Sequence, residues 1–235
     1  VRRPTSGSQR ATRIERVAHR GSPRERRENT LEGFLLAVEH GADAIELDVH
    51  CSSDRQVVVF HDFTAAGLTV ANSSWDALAR LDLGGGARIP RLADVLIALG
   101  DRVMVYIELK GGGIEESVLD IATRHGRRFA LHSFDHAAIA RVARLAPDVR
   151  RGVLLDRGLP DARAALRESI ARTGASDVWP HWSLVNAELT GLARQSGARV
   201  ITWTVNTRDV VETVLNAGVD GICTDDVRLL ASYDV

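Results

Sequence analysis

Between Gly41 and Asp62 the chain reads GADAIELDVHCSSDRQVVVFHD, a stretch dense in side chains that bind metals or move protons. Ile45, Leu47 and Val49 alternate there with Glu46, Asp48 and His50, the period-2 pattern of a strand with one apolar and one polar face. Glu46 and Asp48 therefore point the same way. Residues two apart on a strand are separated by about 6.5 Å, so the two carboxylates can share a divalent cation at a strand end without touching. A second apolar run, Val57 to Phe60, delivers His61 and Asp62 just past its end. VMVYIELK, from Val103 to Lys110, alternates in the same manner and puts Tyr106, Glu108 and Lys110 on one face. A pair of acids on an isolated strand most often faces water at a sheet edge. What argues for chemistry is the company they keep: a third carboxylate, a lysine, and His19 with Arg20 at the end of another apolar run.

Those side chains need elements to position them, and the chain alternates short β-rich runs with amphipathic segments. Ile14 to Ala18 reads as a first strand ending in His19, Arg20 and Gly21. Asn29 and Glu32 form a capping pair for a helix carrying Leu31, Phe34, Leu35 and Val38, closed by Gly41. From Phe63 to Gly86 the pattern weakens into a loop excursion with a short helix at Trp75 to Leu81, and Leu92, Val95, Leu96 and Leu99 then form a helical stripe. The second half repeats the rhythm, with strands at 129–133, 152–155, 177–180, 199–205 and 221–224. Helices at 114–124, 136–145, 161–172, 186–195 and 209–217 separate them, and a short one ends the chain. About eight β-then-α units predict a parallel sheet closed into a (β/α)8 TIM barrel, one domain over 14–235 after a polar tail over 1–13. A doubly wound open sheet is the alternative, but no Gly-rich dinucleotide fingerprint follows the first strand. In a barrel the residues at the C-terminal strand ends meet on one rim, and the polar groups named above stand at such ends.

Composition narrows the partners. At 235 residues, 45 % hydrophobic and 26 % charged with a net charge of −1, the chain has no basic stripe, which speaks against nucleic acid. Lys110 is the only lysine, which makes its position conspicuous. Cys51 and Cys223 lack metal or redox spacing and read as buried free thiols. No run reaches the length of a membrane-spanning helix, and VRRPTSGSQRATRIER has no apolar signal core. These features predict a cytoplasmic protein without stable membrane insertion and carry no signal of oligomeric state. The sequence opens on Val1 rather than Met, so export with a removed signal is compatible with it.

The motifs HRG (His19 to Gly21), ENTLEGF (Glu28 to Phe34), GADAIELDVH (Gly41 to His50), VVVFHD (Val57 to Asp62), IELK (Ile107 to Lys110), WTVN (Trp203 to Asn206) and DGICTD (Asp220 to Asp225) occur in this order. Together they resemble the glycerophosphodiester phosphodiesterase family. The resemblance implies a TIM barrel that hydrolyses glycerophosphodiesters to sn-glycerol 3-phosphate and an alcohol, with one bound divalent cation. Carried over by motif, Glu46, Asp48 and Glu108 would be the metal ligands, and His19 and His61 the base and the acid. Arg20 and Lys110 would hold the phosphate, and Trp203 would shape the glycerol side. Hard oxygen donors suit Mg²⁺ or Ca²⁺. Two other readings stand beside this one: a barrel cleaving lysophospholipid head groups to cyclic phosphates, and a barrel that binds a phosphorylated metabolite without turning it over. Retention of both histidines and all three acids favours catalysis. The segment after Asp62 is shorter than in relatives and lacks their Arg/Thr-rich run, and Ser52 stands where many have Thr. Glu28 and Asn29 read as helix anchors, Phe134 as core, and His132, His181 and Trp182 as structural.

Overall fold

Which face of each strand is apolar decides which way it looks, and here the alternation builds a closed barrel. The protein is described by a computed structural model covering residues 13–126 and 128–233. The expected tail at 1–12 lies outside the described residues, while Arg13 pairs with Asp43 at 3.0 Å. Eight strands form the barrel: β1 (Glu15–His19), β2 (Ala44–Cys51), β3 (Met104–Leu109), β4 (Phe129–Ser133), β5 (Arg151–Leu155), β6 (Asp177–Pro180), β7 (Arg199–Thr202) and β8 (Gly221–Thr224). Each is parallel to its neighbours in sequence order, and β8 pairs with β1 to close the ring. Seven of the eight strands are followed by a helix: α1 (Leu31–Glu39), α3 (Leu92–Leu99), α4 (Glu115–His125), α5 (His136–Leu145), α6 (Ala162–Thr173), α7 (Ala187–Gln195) and α8 (Arg208–Asn216). A 3-10 turn, Val227–Tyr233, takes the last place. The fold is thus the (β/α)8 barrel that the repeated units predict.

Ile45, Leu47 and Val49 of β2 pack outward into the main apolar cluster between strands and helices. Glu46 and Asp48 face inward and are buried, so β2 is a central strand rather than an edge open to water. Inside the barrel Val17, Ala44, Met104, Tyr106, Ala130, Leu154, Trp179, Ile201 and Cys223 fill a second cluster. Trp179 lies edge-on to Tyr106 at 4.8 Å because Gly152 leaves room for it: a Cβ there would meet the indole at 2.9 Å. The N-terminal mouth is closed by a hydrogen bond and two ion pairs: Tyr106 Oη donates to Glu15 at 2.9 Å, Arg199 donates to Glu15 at 2.5 Å, and Arg150 makes two 2.6 Å bonds to Asp177. A sealed bottom leaves the C-terminal rim as the open end.

Three local expectations change. Thr30, not Asn29, caps α1 by accepting from the Gly33 N–H, which frees Asn29 for another task. The β7 strand stops at Thr202 rather than running to Val205; Trp203 keeps only an isolated bridge to His181, and its indole N–H donates to the Trp179 carbonyl at 2.8 Å. The excursion after β2 is folded. Val57–Val59 runs antiparallel to β2, a hairpin pairs Thr64–Ala65 with Leu68–Thr69, and α2 (Trp75–Ala79) follows. Val58, Phe60, Ala65, Val70, Leu78 and Ile89 give this excursion an apolar cluster of its own.

Candidate active site

Strand register puts the polar side chains next to one another: His19 beside Glu46, Asp48 beside Glu108, and Glu108 beside His132. A cavity of about 230 Å³ opens at this rim, lined by His19, Arg20, Glu46, His61, Glu108, Lys110 and Trp203 among others. Asp48 is fully buried, and one oxygen from each of Glu46, Asp48 and Glu108 lies within 4.8 Å of the others. All eight residues singled out from the sequence therefore meet in one place.

Three buried carboxylates in such proximity need positive charge. Part comes from the chain: Lys110 Nζ is 3.0 Å from Glu108 and 3.6 Å from Asp48, and Arg20 Nε is 3.1 Å from Asp48. Burial would raise the pKa of Asp48, but Arg20, Lys110 and a bond from Asn29 outweigh it and hold the carboxyl below its ordinary value. Glu108 goes the other way, pushed up to about 7 by burial and then by the Asp48 charge. Asp48 Oδ1 is buried without a hydrogen-bond partner. A carboxylate held ionised beside one that resists ionisation, the first with an oxygen that accepts no hydrogen bond, is a donor set that a hard divalent cation fits.

Arg20 reaches Asp48 because the chain turns sharply after β1. Arg20 has φ 54°, its N–H donates to the Glu46 carbonyl at 2.9 Å, and Gly21 follows with φ 92°. A Cβ on Gly21 would stand 2.7 Å from the Gly33 carbonyl carbon, so α1 packs against bare backbone here. Glu28 accepts from Arg20 at 3.2 Å.

Each histidine is oriented by an acid. His19 donates through Nδ1 to Asp225 at 2.7 Å, and Asp225 also accepts from Asn206 Nδ2 at 2.7 Å. Burial depresses the imidazole, but the Asp225 bond and the Glu46 charge outweigh it, and the His19 pKa is raised. His61 donates through Nδ1 to the exposed Asp62 at 2.7 Å, and its carbonyl accepts from His50 Nε2 at 3.1 Å. With Nδ1 engaged, Nε2 is the nitrogen left to exchange a proton in each ring. Trp203 stands edge-on to Phe134 at 5.4 Å. Phe134 is 42 % exposed at the cavity wall, because the β4 ladder ends at Ser133 just before it, and so is not core.

Several residues of this arrangement were not read as functional from sequence. Asn29, at φ 57°, donates to Asp48 at 2.8 Å. Asp225 and Asn206 lie in the DGICTD and WTVN motifs at strand ends, a position that marks them in a barrel. His132 shares the inward register of Glu108, the signal that places it in the cavity.

Three acids, two cationic side chains and two histidines gathered on the rim of a TIM barrel are the arrangement of a hydrolase that acts on phosphate esters. Residues 19–229 match the model of the glycerophosphoryl diester phosphodiesterase family, and the chain belongs to that family, whose members are phosphoric diester hydrolases. It is 34 % identical to the glycerophosphodiester phosphodiesterase of Caldanaerobacter subterraneus subsp. tengcongensis, covering 91 % of this chain and 95 % of that protein. A glycerophosphodiester phosphodiesterase of Bacillus altitudinis is 30 % identical over 88 % of this chain and 93 % of its own length. Among solved structures, the crystal structure of glycerophosphodiester phosphodiesterase from Agrobacterium tumefaciens str. C58 superposes with a TM-score of 0.81 at 28 % identity, covering 94 % of this chain and 99 % of that one. Among the described residues no helix is long and apolar enough to cross a membrane.

Proposed function

We propose that this chain hydrolyses glycerophosphodiesters to sn-glycerol 3-phosphate and an alcohol, with one divalent cation, Mg²⁺ or Ca²⁺, held by Glu46, Asp48 and Glu108. The observation that carries this is the buried trio of carboxylates, ligand atoms within 4.8 Å of one another, opening into the cavity that both histidines line. A bound cation would supply Lewis-acid charge where the phosphoryl oxygens gather negative charge in the transition state. Arg20 and Lys110 hold the same oxygens from the protein side. His19 Nε2 takes the proton of the glycerol hydroxyl next to the ester as that oxygen attacks phosphorus. His61 Nε2 gives a proton to the departing alkoxide. Water then opens the cyclic phosphate with the roles reversed, His61 as base and His19 as acid. Trp203 walls the glycerol side. The test is to incubate the protein with glycerophosphodiesters, lysophospholipids and aryl phosphodiesters, with and without metal, and to identify products by phosphorus NMR. Formation of glycerol 3-phosphate only from the first group, and only with metal, is the expected result. No turnover of any substrate overturns it.

A further inference from the structure

Deeper in the same cavity is a side chain that none of these roles uses. His132 sits on β4, opposite Glu108 in register, and is 1 % exposed. Neither of its ring nitrogens has a hydrogen-bond partner. Nε2 is 3.6 Å from Glu46 Oε1, too far for a direct bond. The ring is fixed by Trp179, edge-on at 4.5 Å, and tilted against Tyr106. A buried imidazole with both nitrogens unpaired is costly, and packing alone would be served as well by a hydrocarbon side chain. On its other side from Glu46 and Glu108, the cavity lining includes the apolar Leu154, Trp179 and Cys223.

We propose that His132 is a substrate-binding residue that reads the terminal hydroxyl of the glycerol group. This rests on the reading above, in which the phosphate is held at the rim and the hydroxyl beside the ester attacks phosphorus. The far hydroxyl is then the polar group that enters the apolar floor. A neutral imidazole has one N–H to give, and a hydroxyl both accepts and donates. One hydroxyl oxygen can accept the Nε2–H of His132 and donate its own proton to the Glu46 carboxylate, linking two groups that stand 3.6 Å apart. A methyl group in that place leaves the imidazole unpaired. The site therefore selects glycerol diesters over diesters of propane-1,2-diol.

The test compares kcat/KM for glycerophosphocholine and for the analogue whose terminal CH₂OH is CH₃, using wild type, His132→Leu and His132→Gln. Wild type should prefer the glycerol diester by roughly 10- to 100-fold, the reach of one buried hydrogen bond. His132→Leu should erase the preference to within about threefold, with the deoxy substrate little affected. His132→Gln, which keeps a donor and an acceptor, should retain part of it. An equal fall on both substrates in His132→Leu makes His132 a packing residue and overturns the proposal. Wild type that cleaves both diesters alike also overturns it and leaves the phosphodiesterase reading standing, whereas cleavage of neither overturns both. A second measurement does not depend on the variants folding: in wild type labelled with ¹⁵N-histidine, the His132 ring nitrogens should respond to glycerol 3-phosphate and not to propane-1,2-diol 1-phosphate. The same response to both products refutes the assignment.

Discussion

Replacing Asp225 by Asn keeps the shape beside His19 and removes the charge. The bond it alters is a charge-assisted one, 2.7 Å from His19 Nδ1 to Asp225 Oδ1. Such bonds contribute about 1.5–3 kcal/mol. At 1.4 kcal/mol per decade the plateau of kcat/KM should fall by roughly 10- to 150-fold, through lost orientation of the ring and lost stabilisation of the imidazolium that forms as His19 takes a proton. The pH dependence gives a second, independent signature. In the folded protein burial pulls the His19 pKa down, and the Asp225 bond and Glu46 charge more than compensate. Without the Asp225 charge the pKa drops. A base works unprotonated, so the acid limb of kcat/KM should move to lower pH in Asp225→Asn, and the loss relative to wild type should shrink as pH falls. The assay is a pH series on glycerophosphocholine at saturating metal, which keeps the carboxylates ionised throughout. Asp62→Asn serves as the control. Asp62 is 64 % exposed, so solvent screens its effect on His61 and the loss should be smaller. An acid limb that stays in place or moves up in Asp225→Asn would refute the reasoning, as would a plateau unchanged within error.

Three further outcomes are expected. Glu46→Gln, Asp48→Asn and Glu108→Gln should each remove most turnover while the fold persists, and full activity in excess EDTA with no metal in the protein would sink the metal assignment. His61→Ala should lose on the order of 10²-fold or more on glycerophosphocholine and regain much of it on a nitrophenyl ester of glycerol phosphate, which scarcely needs an acid; His19→Ala should stay impaired on both, and equal losses throughout would end this division of labour. If the segment after Asp62 leaves the alcohol side of the pocket open, as its expected shortness implies, kcat/KM for glycerophosphocholine, glycerophosphoethanolamine and glycerophosphoglycerol should be comparable, and a strong preference for one would show that other loops select the alcohol.

The barrel was legible because its strands and helices each carry a full period of their pattern. Strands 129–133, 177–180 and 221–224 fall where the alternation puts them. Helix starts moved by a residue where the first residue turned out to be a cap: Asp161 and Asn186 precede α6 and α7 and accept from the second and third N–H groups of each. Between Phe63 and Gly86 only the short helix from Trp75 was legible, since strands of two residues and a single 3-10 turn are too short to show any period.

The candidate site divides along a physical line. Glu46 and Asp48 could be grouped from sequence because period-2 alternation tells which residues of one strand share a face, and Glu108, on another strand, joined them through the expected barrel and the family resemblance. What supports them could not, because it depends on pairing between distant segments. Asn29 meets Asp48 across 19 residues, and His19 meets Asp225 across 206, a distance bridged only when β8 closes the ring on β1. Ring closure also gives His132 its meaning. On a single strand it is one of eight histidines, but with β4 set beside β3 it stands level with Glu108, its nitrogens bare next to Leu154, Trp179 and Cys223. The acids say where a cation would sit and with it a phosphate, and the unpaired imidazole beside Glu46 says where the rest of the substrate would be recognised.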